Sequence, residues 1–574
     1  MSTSPETGAG PALEPARRGM LGAFAVFAER RTAVMLALGF AAGLPNLLIF
    51  DTLSAWLRDS GLSLELISFF SLATLAYSFK FLWAPLVDRT TIPWLTKRLG
   101  HRRSWMLVAQ AAITVGLLCV AGADPKANLA LLAVFAVFTG FSSATQDIVI
   151  DAWRIEAADS SRQGAMAAAY QWGYRIAIIT AGAAPLVLAD HYGWHFSYAM
   201  MAGLMLVGVL AVLGAPREQT HVIRAIPTAG VRAAPTLELL EWLLRLTILV
   251  GGAVLLGSGL GANAEVLSQA LTAFGMGEAA AGLKAAWTAK PDGVWLQLVG
   301  VVAGFFVIGL AAWPIPRVRT RPGLYLSHAL GDPLADFFGR YGKTAGLILA
   351  LICLYRVSDF VLNIMTPFYQ DLGFSKTQIA EARKVFGVAM SMVGVFAGGW
   401  SVARLGIMRS MVIGAFALPI TNTIFAWLAT RGPDFNSLLC AIGVDNVVSG
   451  YAGTCLIAYM SSLTSVGFTA TQYALFSSLY SLPGKLIASQ SGRIVETAAR
   501  ASDAGGPMHL LQGFFVHAPA QAFAGAMAKS HVSAAALGAG YMVFFFYSGL
   551  VGVASMVLAV LVARFQPATR ALTS

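Results

Sequence analysis

Long apolar runs, each closed by a short polar turn, recur along most of the chain. Runs of about 20 residues, enough for a helix to cross a roughly 30 Å hydrocarbon core, occur near 32–57, 66–87, 104–122, 128–150, 164–188 and 196–214. A second block follows near 344–370, 379–403, 410–429, 436–460, 470–496 and 540–563, and two further runs, near 242–260 and 294–313, lie between the blocks. The pattern predicts about fourteen membrane helices grouped six, two and six. It divides the chain into an N-terminal tail (1–31), a six-helix bundle (32–216), a linker with the extra helix pair (217–343), a second bundle (344–564) and a short tail (565–574). A long joint near 497–539 separates the last two spans. Its stretch GFFVHAPAQAFAGAMAKSHVSAAAL fits either an amphipathic helix on the outer surface or a solvated loop.

Composition supports an all-α polytopic membrane protein. The chain is 57% hydrophobic and only 12% charged, with a mean hydropathy of +0.69, whereas soluble proteins carry about 25% charged residues. The net charge of +11 does not indicate nucleic acid, because the basic residues are spread among turns and form no aromatic-interleaved patch. It fits topology. Cytoplasmic termini place Arg17, Arg18, Arg30, Arg31, the stretch Arg89–Arg103, and Arg317, Arg319, Arg321, Arg340 and Lys343 on the inner face, as the positive-inside rule requires. The first 30 residues read as a tail without a cleaved signal. Cys119, Cys353, Cys440 and Cys455 fall within spans at no metal-ligand spacing and read as packing thiols. His101, His191 and His195 read as loop residues. No catalytic cluster of His, Ser or Cys is apparent, and no metal or cofactor is expected.

The two blocks echo each other. DSGLSLELI (Asp59–Ile67) joins the first two spans, and DLGFSKTQI (Asp371–Ile379) occupies the corresponding joint of the second block. A weaker echo sets SRQGAMAAAYQWGYR, ending at Arg175, against TATQYALFSSLYSLPGK, ending at Lys485. Such repeats, related by an axis along the membrane normal, hold substrate at the midplane between them.

Ionisable residues within spans are costly, roughly 2.5–3.5 kcal/mol at a helix centre, and therefore mark pathways or partners. Lys80, Arg175, Arg356, Asp359, Asp445 and Lys485 fall near the midplane. Asp147 and Asp151, four apart on one helical face, lie toward the cytoplasmic end, and Asp51 lies nearer the outside. The cations suit a carboxylate-bearing substrate. Gln146, Asn363, Asn446, Gln472, Tyr77, Tyr170, Trp172 and Tyr473 offer polar and aromatic partners for a sugar. Fixed pairs are the alternative: Arg356 with Asp359, Lys80 with Asp147 or Asp445, and Arg175 with Asp151. For proton coupling the candidates are Asp147 first, then Asp151 and Asp359. Asp88, Arg89, Arg102, Arg103 and Arg154, at the cytoplasmic ends of spans two to four, are candidates for a charge-paired gate or, for the arginines, simple topology markers.

Resemblance to known transporters rests on particular segments. VDRTTIPWLTKRLGHRRSW (Val87–Trp105) resembles an expanded form of the loop between the second and third spans of major facilitator proteins. LGFAAGLP (Leu38–Pro45), FKFLWAPLVDR (Phe79–Arg89), SSATQDIVIDAWR (Ser142–Arg154), PLADFFGR (Pro333–Arg340) and TATQYALFSSL, ending at Leu479, resemble the muropeptide permease AmpG family. The resemblance implies a major facilitator fold and a monomeric symporter of a bacterial inner membrane. Its implied substrates are N-acetylglucosaminyl-anhydro-N-acetylmuramyl peptides, imported from periplasm to cytoplasm with protons as the coupling ion. Two features depart from the family pattern: the extra spans lie between the halves rather than after the twelfth, and the last joint is long. Both leave open another anionic solute, such as acetyl-coenzyme A or a siderophore.

Overall fold

The computed structural model describes residues 29–61, 77, 79–159, 162–218, 222–224, 231, 234–260, 263–289, 293–313, 319–480, 491–516, 519, 521–524 and 531–566, with the backbone alone at Phe50, Asp51, Ala130, Val294, Phe360, Val361, Asn363 and Lys376. Of the candidates named above, Lys485 and the side chains of Asp51 and Asn363 lie outside the described residues.

Among the described residues the chain is helical, with 11 helices long and apolar enough to cross a membrane. The first half contains α1 (Arg30–Leu47), α2 (Ala84–Arg89), α3 (His101–Gly122), α4 (Leu129–Glu156), α5 (Gln163–Tyr192), α6 (Trp194–Leu204) and α7 (Leu206–Gly214). The inserted pair is α8 (Pro235–Leu260) and α9 (Gly293–Ala312), followed by α10 (Arg321–Tyr341). The second half contains α11 (Ala345–Leu354), α12 (Met365–Leu372), α13 (Gly387–Leu405), α14 (Ile407–Asn422), α15 (Phe435–Ser462), α16 (Thr469–Leu479), α17 (Ser491–Asp503) and α18 (Ala534–Phe565).

The repeat is visible in the turns. Gly61 (φ 84°) and Gly373 (φ 108°) occupy matching positions in the left-handed region that glycine enters without steric cost. Two residues earlier, Asp59 Oδ2 accepts from Trp194 Nε1 at 3.0 Å, and Asp371 Oδ2 accepts from Tyr541 Oη at 2.5 Å. Each half thus ties the end of its first span to its last.

The inserted helices α8 and α9 pack through small residues: a Cβ on Gly252 would lie 3.0 Å from Gly304 O, the close approach typical of membrane helix pairs. Leu256, Val301 and Ile308 of this hairpin join the core of the first half. By contrast, Phe337 and Tyr341 of α10 join the core of the second half.

Of the stretch read above as an amphipathic helix or a solvated loop, residues 517, 518, 520 and 525–530 lie outside the described residues. Pro507–Phe515 forms 3-10 turns, and Phe515, Ala522, Phe523 and Val532 are buried in the core of the second half. The amphipathic helix is α17, whose buried positions Val495, Ala499 and Ser502 recur at helical spacing.

Candidate functional site

Between the halves, the end carrying Arg102 is sealed. Span two breaks at a 3-10 turn, Lys80–Leu82, and restarts at α2, where Pro85 sits in the first turn, a position at which a missing N–H costs nothing. The restart delivers Asp88 to the gate. Asp88 is fully buried and accepts from Arg102 Nη2 at 2.7 Å, while Arg102 also donates to Glu156 at 2.6 Å. The Asp88 carboxylate then crosses to the other half. It accepts from Ala470 N at 3.1 Å, Thr471 N at 2.8 Å and Thr471 Oγ1 at 2.6 Å. Those amides belong to the first turn of α16 and have no intrahelical partner, so an anion there also meets the positive end of the helix dipole.

Further ties reinforce this end. Arg154 donates to Ser461 Oγ at 2.8 Å and lies 5.1 Å from the Tyr473 ring centre. Arg89 donates to His328 O at 2.9 Å and stands over Phe468. Gln472 donates to Pro333 O at 2.8 Å and Asp336 at 3.0 Å, and accepts from Ser465 N at 2.8 Å. The structure therefore places Gln472 in the seal rather than beside the other polar candidates. Arg103 lies apart as well, donating to Val212 O and Leu213 O, each at 3.0 Å. It caps the last turn of α7 and contacts no residue of the second half among the described residues.

Above the seal the halves touch as far as Gln171 and Trp172. There α5 packs on α13 through Gly164 and Gly399, Gln171 Nε2 donates to Thr454 Oγ1 at 2.6 Å, and Trp172 Nε1 donates to Met392 O at 2.9 Å. Toward the opposite end the cores separate: one is built wholly from the first half and the other wholly from the second. Among the described residues, no hydrogen bond joins the halves beyond Trp172. Among the described residues the halves are closed at the Arg102 end and parted at the other.

The wall of the first half holds a charge cluster. Lys80 Nζ lies 3.8 Å from Asp151 Oδ2, and Arg154 Nη2 lies 3.3 Å from Asp151 Oδ1. Asp151 is thus shared by two cations. Asp147, one turn above, is within electrostatic reach of Lys80 and Asp151 and only 8% exposed, and its Oδ1 has no hydrogen-bond partner among the described residues. Tyr77 donates to Ser143 Oγ at 2.8 Å. Tyr170 and Tyr174 are neighbours, their rings 6.0 Å apart, and Asn46 donates to Tyr174 Oη at 2.7 Å. Gln146 points away, donating to Ala41 O at 2.9 Å and bracing α1.

The facing wall is built around a second break. Arg356 leaves helical geometry (φ −112°, ψ 16°) between α11 and the turn Val357–Val361. Its guanidinium donates to Asp359 Oδ2 at 2.6 Å and Ser449 Oγ at 2.7 Å. The intrahelical pair read as an alternative therefore forms. Asp445 lies within electrostatic reach of Asp359, Arg356 and Arg383, and Asn446 bonds to Ile442 O of its own helix at 2.9 Å. Arg175 projects from α5 toward this wall, near enough to Arg356 for mutual repulsion. Among the described residues it makes no ion pair, with Asp151 or any other carboxylate. One arginine from each half thus meets at the centre, where a bound anion would relieve their repulsion.

Sequence reasoning missed Glu156, Thr471, Gln171 and Asp336. Of these, Glu156 carried a signal: it is a further acidic residue on the same helix as Asp151 and Arg154, at its end.

Comparisons with known proteins agree with this geometry. Residues 90–331 match the family model of the Major Facilitator Superfamily. Over 82% of its length the chain is 27% identical to putative transporter AmpG 4 of Rickettsia felis, covering 91% of that protein. It is 29% identical over 82% of its length to the anhydromuropeptide permease of Escherichia coli K12, covering 75% of it. The fold is similar to that of the proton:xylose symporter XylE, with a TM-score of 0.51 at 12% identity over 95% of this chain and 96% of that one. Two repeated helix bundles, a charged seal at one end and the likeness to XylE lead to one conclusion: the chain is a polytopic membrane protein with a major facilitator fold, similar in sequence to permeases.

Proposed function

We propose that the protein imports anhydromuropeptides, driven by protons, through alternating access. One observation carries the reading: Arg175 and Arg356, contributed by opposite halves, meet where the cavity is open, and among the described residues Arg175 has no carboxylate partner. Peptide carboxylates supply that partner, and arginine matches them with two parallel hydrogen bonds. The name of the Escherichia coli relative supplies the substrate class. Tyr77, Tyr170 and Tyr174 line the same region with ring faces and hydroxyls suited to a sugar.

The charge bias along the chain assigns the Arg102 end to the cytoplasm. The parted end then faces outward, ready to load. Asp147 is the proton carrier in this scheme. It is buried, with one oxygen unpaired among the described residues, so protonation removes an expensive charge and frees Lys80 to engage Asp151 alone. That changes the charge balance directly above Arg154 and the seal. A membrane potential contributes about 2.3 kcal/mol per charge per 100 mV, roughly fifty-fold accumulation for one net charge moved.

The test is uptake of labelled anhydromuropeptide into vesicles reconstituted with the full chain, with and without a protonophore. Protonophore-sensitive accumulation supports the reading. Absence of uptake together with uptake of another anionic solute would replace the substrate and keep the fold.

A further inference from the structure

The inserted helices and α10 are not a passive linker. The hairpin α8–α9 belongs to the first half's core through Leu256, Val301 and Ile308. The helix that follows belongs to the second half: Phe337 is buried there, its ring 5.2 Å from that of Phe476. The chain therefore passes from one body to the other along α10, whose Tyr325 ring still lies 5.7 Å from that of Trp242 in the hairpin.

That crossing is fastened at both ends. On the first-half side, Arg245 is 4% exposed. It donates to Ala311 O and to Trp313 O, closing the end of α9, and to Glu241 Oε1 at 2.8 Å. Glu241 in turn accepts from Thr320 Oγ1 at 2.7 Å, and Thr320 is the N-cap of α10. On the second-half side, Asp336 accepts from Ser465 Oγ at 2.8 Å, from Gln472 Nε2 at 3.0 Å and from Arg340 Nε at 3.0 Å. Arg340 donates to Leu463 O at 2.9 Å. All of these contacts hold the turn Leu463–Phe468 that leads into α16. The first turn of α16, which follows directly, presents the Ala470 and Thr471 amides gripped by Asp88. Midway along α10, Arg89 of the first half donates to His328 O at 2.9 Å and lies 3.5 Å from Asp332.

We propose that α10 is a strap across the closed gate, that Asp336 is its gate-positioning residue, and that the inserted hairpin is its anchor. Opening the Arg102 end moves α16 away from Asp88. With α10 docked on the second half and tethered to the first through Arg89 and Thr320, that movement breaks the Arg89 contacts or strains the tether. The strap therefore biases the resting molecule toward the state closed at this end, and releasing either anchor shifts the balance toward opening. The inference is independent of the transported solute.

The test uses the full chain in liposomes with Cys119, Cys353, Cys440 and Cys455 replaced by serine and spin labels at Lys97→Cys and Arg409→Cys, exposed positions at the sealed end of either half. Pulsed electron resonance reads the two separations as populations. Asp336→Asn and, separately, Glu241→Gln should each raise the wide-separation population several-fold. If Asp336→Asn does not fold, Asp332→Asn, which removes the ion pair with Arg89 midway along α10, is read in its place. An unchanged distribution in the folded Asp336 or Asp332 variant overturns the strap. A shift there with none in Glu241→Gln overturns the anchoring role of the hairpin.

Discussion

Replacing Asp88 by asparagine tests the central claim that the seal is an anion held on a helix end of the opposite half. The substitution keeps shape and one acceptor oxygen, but turns the other oxygen into an amino group facing donors. Three hydrogen bonds of 2.6–3.1 Å cross between the halves at this residue. Hydrogen bonds to a charged group contribute about 1.5–3 kcal/mol each, and asparagine preserves part of the set, so the closed state loses roughly 2–4 kcal/mol relative to the open one. The Arg102 contact lies inside the first half. Its loss lowers overall stability by about 3–5 kcal/mol, the cost of breaking a buried pair, without favouring either state. A bias of 2–4 kcal/mol corresponds to a shift of roughly 30- to 1,000-fold in the closed-to-open ratio. The spin-label pair across the sealed end reads it directly. Arg103→Gln is the control, because Arg103 caps α7 within one half: it should lower the melting temperature and leave the ratio unchanged. An Asp88→Asn protein that folds and keeps the parent distribution would refute the reasoning.

Three further outcomes are expected. Gly399→Val places a Cβ 2.8 Å from Ala168 Cβ and 2.9 Å from Gly164 O, an overpacking cost of about 1–3 kcal/mol borne only while the halves touch, so the wide separation should become more populated by the same spin-label measurement. Asp147→Asn should abolish accumulation against a gradient while counterflow of substrate persists, because binding needs no proton release; retained protonophore-sensitive accumulation in vesicles would contradict the assignment. Arg175→Gln should raise KM by roughly 10- to 150-fold, the value of one charged hydrogen-bonding partner at about 1.5–3 kcal/mol, with the parent spin-label distribution preserved.

The spans were legible because a helix crossing a bilayer must be apolar over its whole length, and the ends of α3, α5 and α15 fall within a few residues of the runs in the sequence. The pairing of their polar residues was not. Asp147 and Gln146 are adjacent, yet on a helix adjacent side chains point about 100° apart, so one joins the charge cluster and the other braces α1. Gln472 lies inside a conspicuous motif, but its partners Pro333 and Asp336 are more than a hundred positions away. The helix α10 has no long apolar run, since one face packs on Phe476 and the other meets solvent; it is legible only by its 3.6-residue spacing. Lys80 could have paired with any of several midplane carboxylates, and only the break at Lys80–Leu82 selects Asp151.

Those interruptions at Lys80–Leu82 and Arg356 bear on the shape of the cycle. A continuous helix is a stiff rod that transmits a tilt from one membrane face to the other, whereas a helix lacking backbone bonds in the middle bends there. One such joint stands in each half, level with the substrate residues. The segment that follows Arg356 can therefore tilt apart from α11 while the opposite end remains locked by Asp88 and Arg102. In the proposed cycle such a bend gives an occluded intermediate, shut at both ends, so that a solute would cross without the two gates being open together.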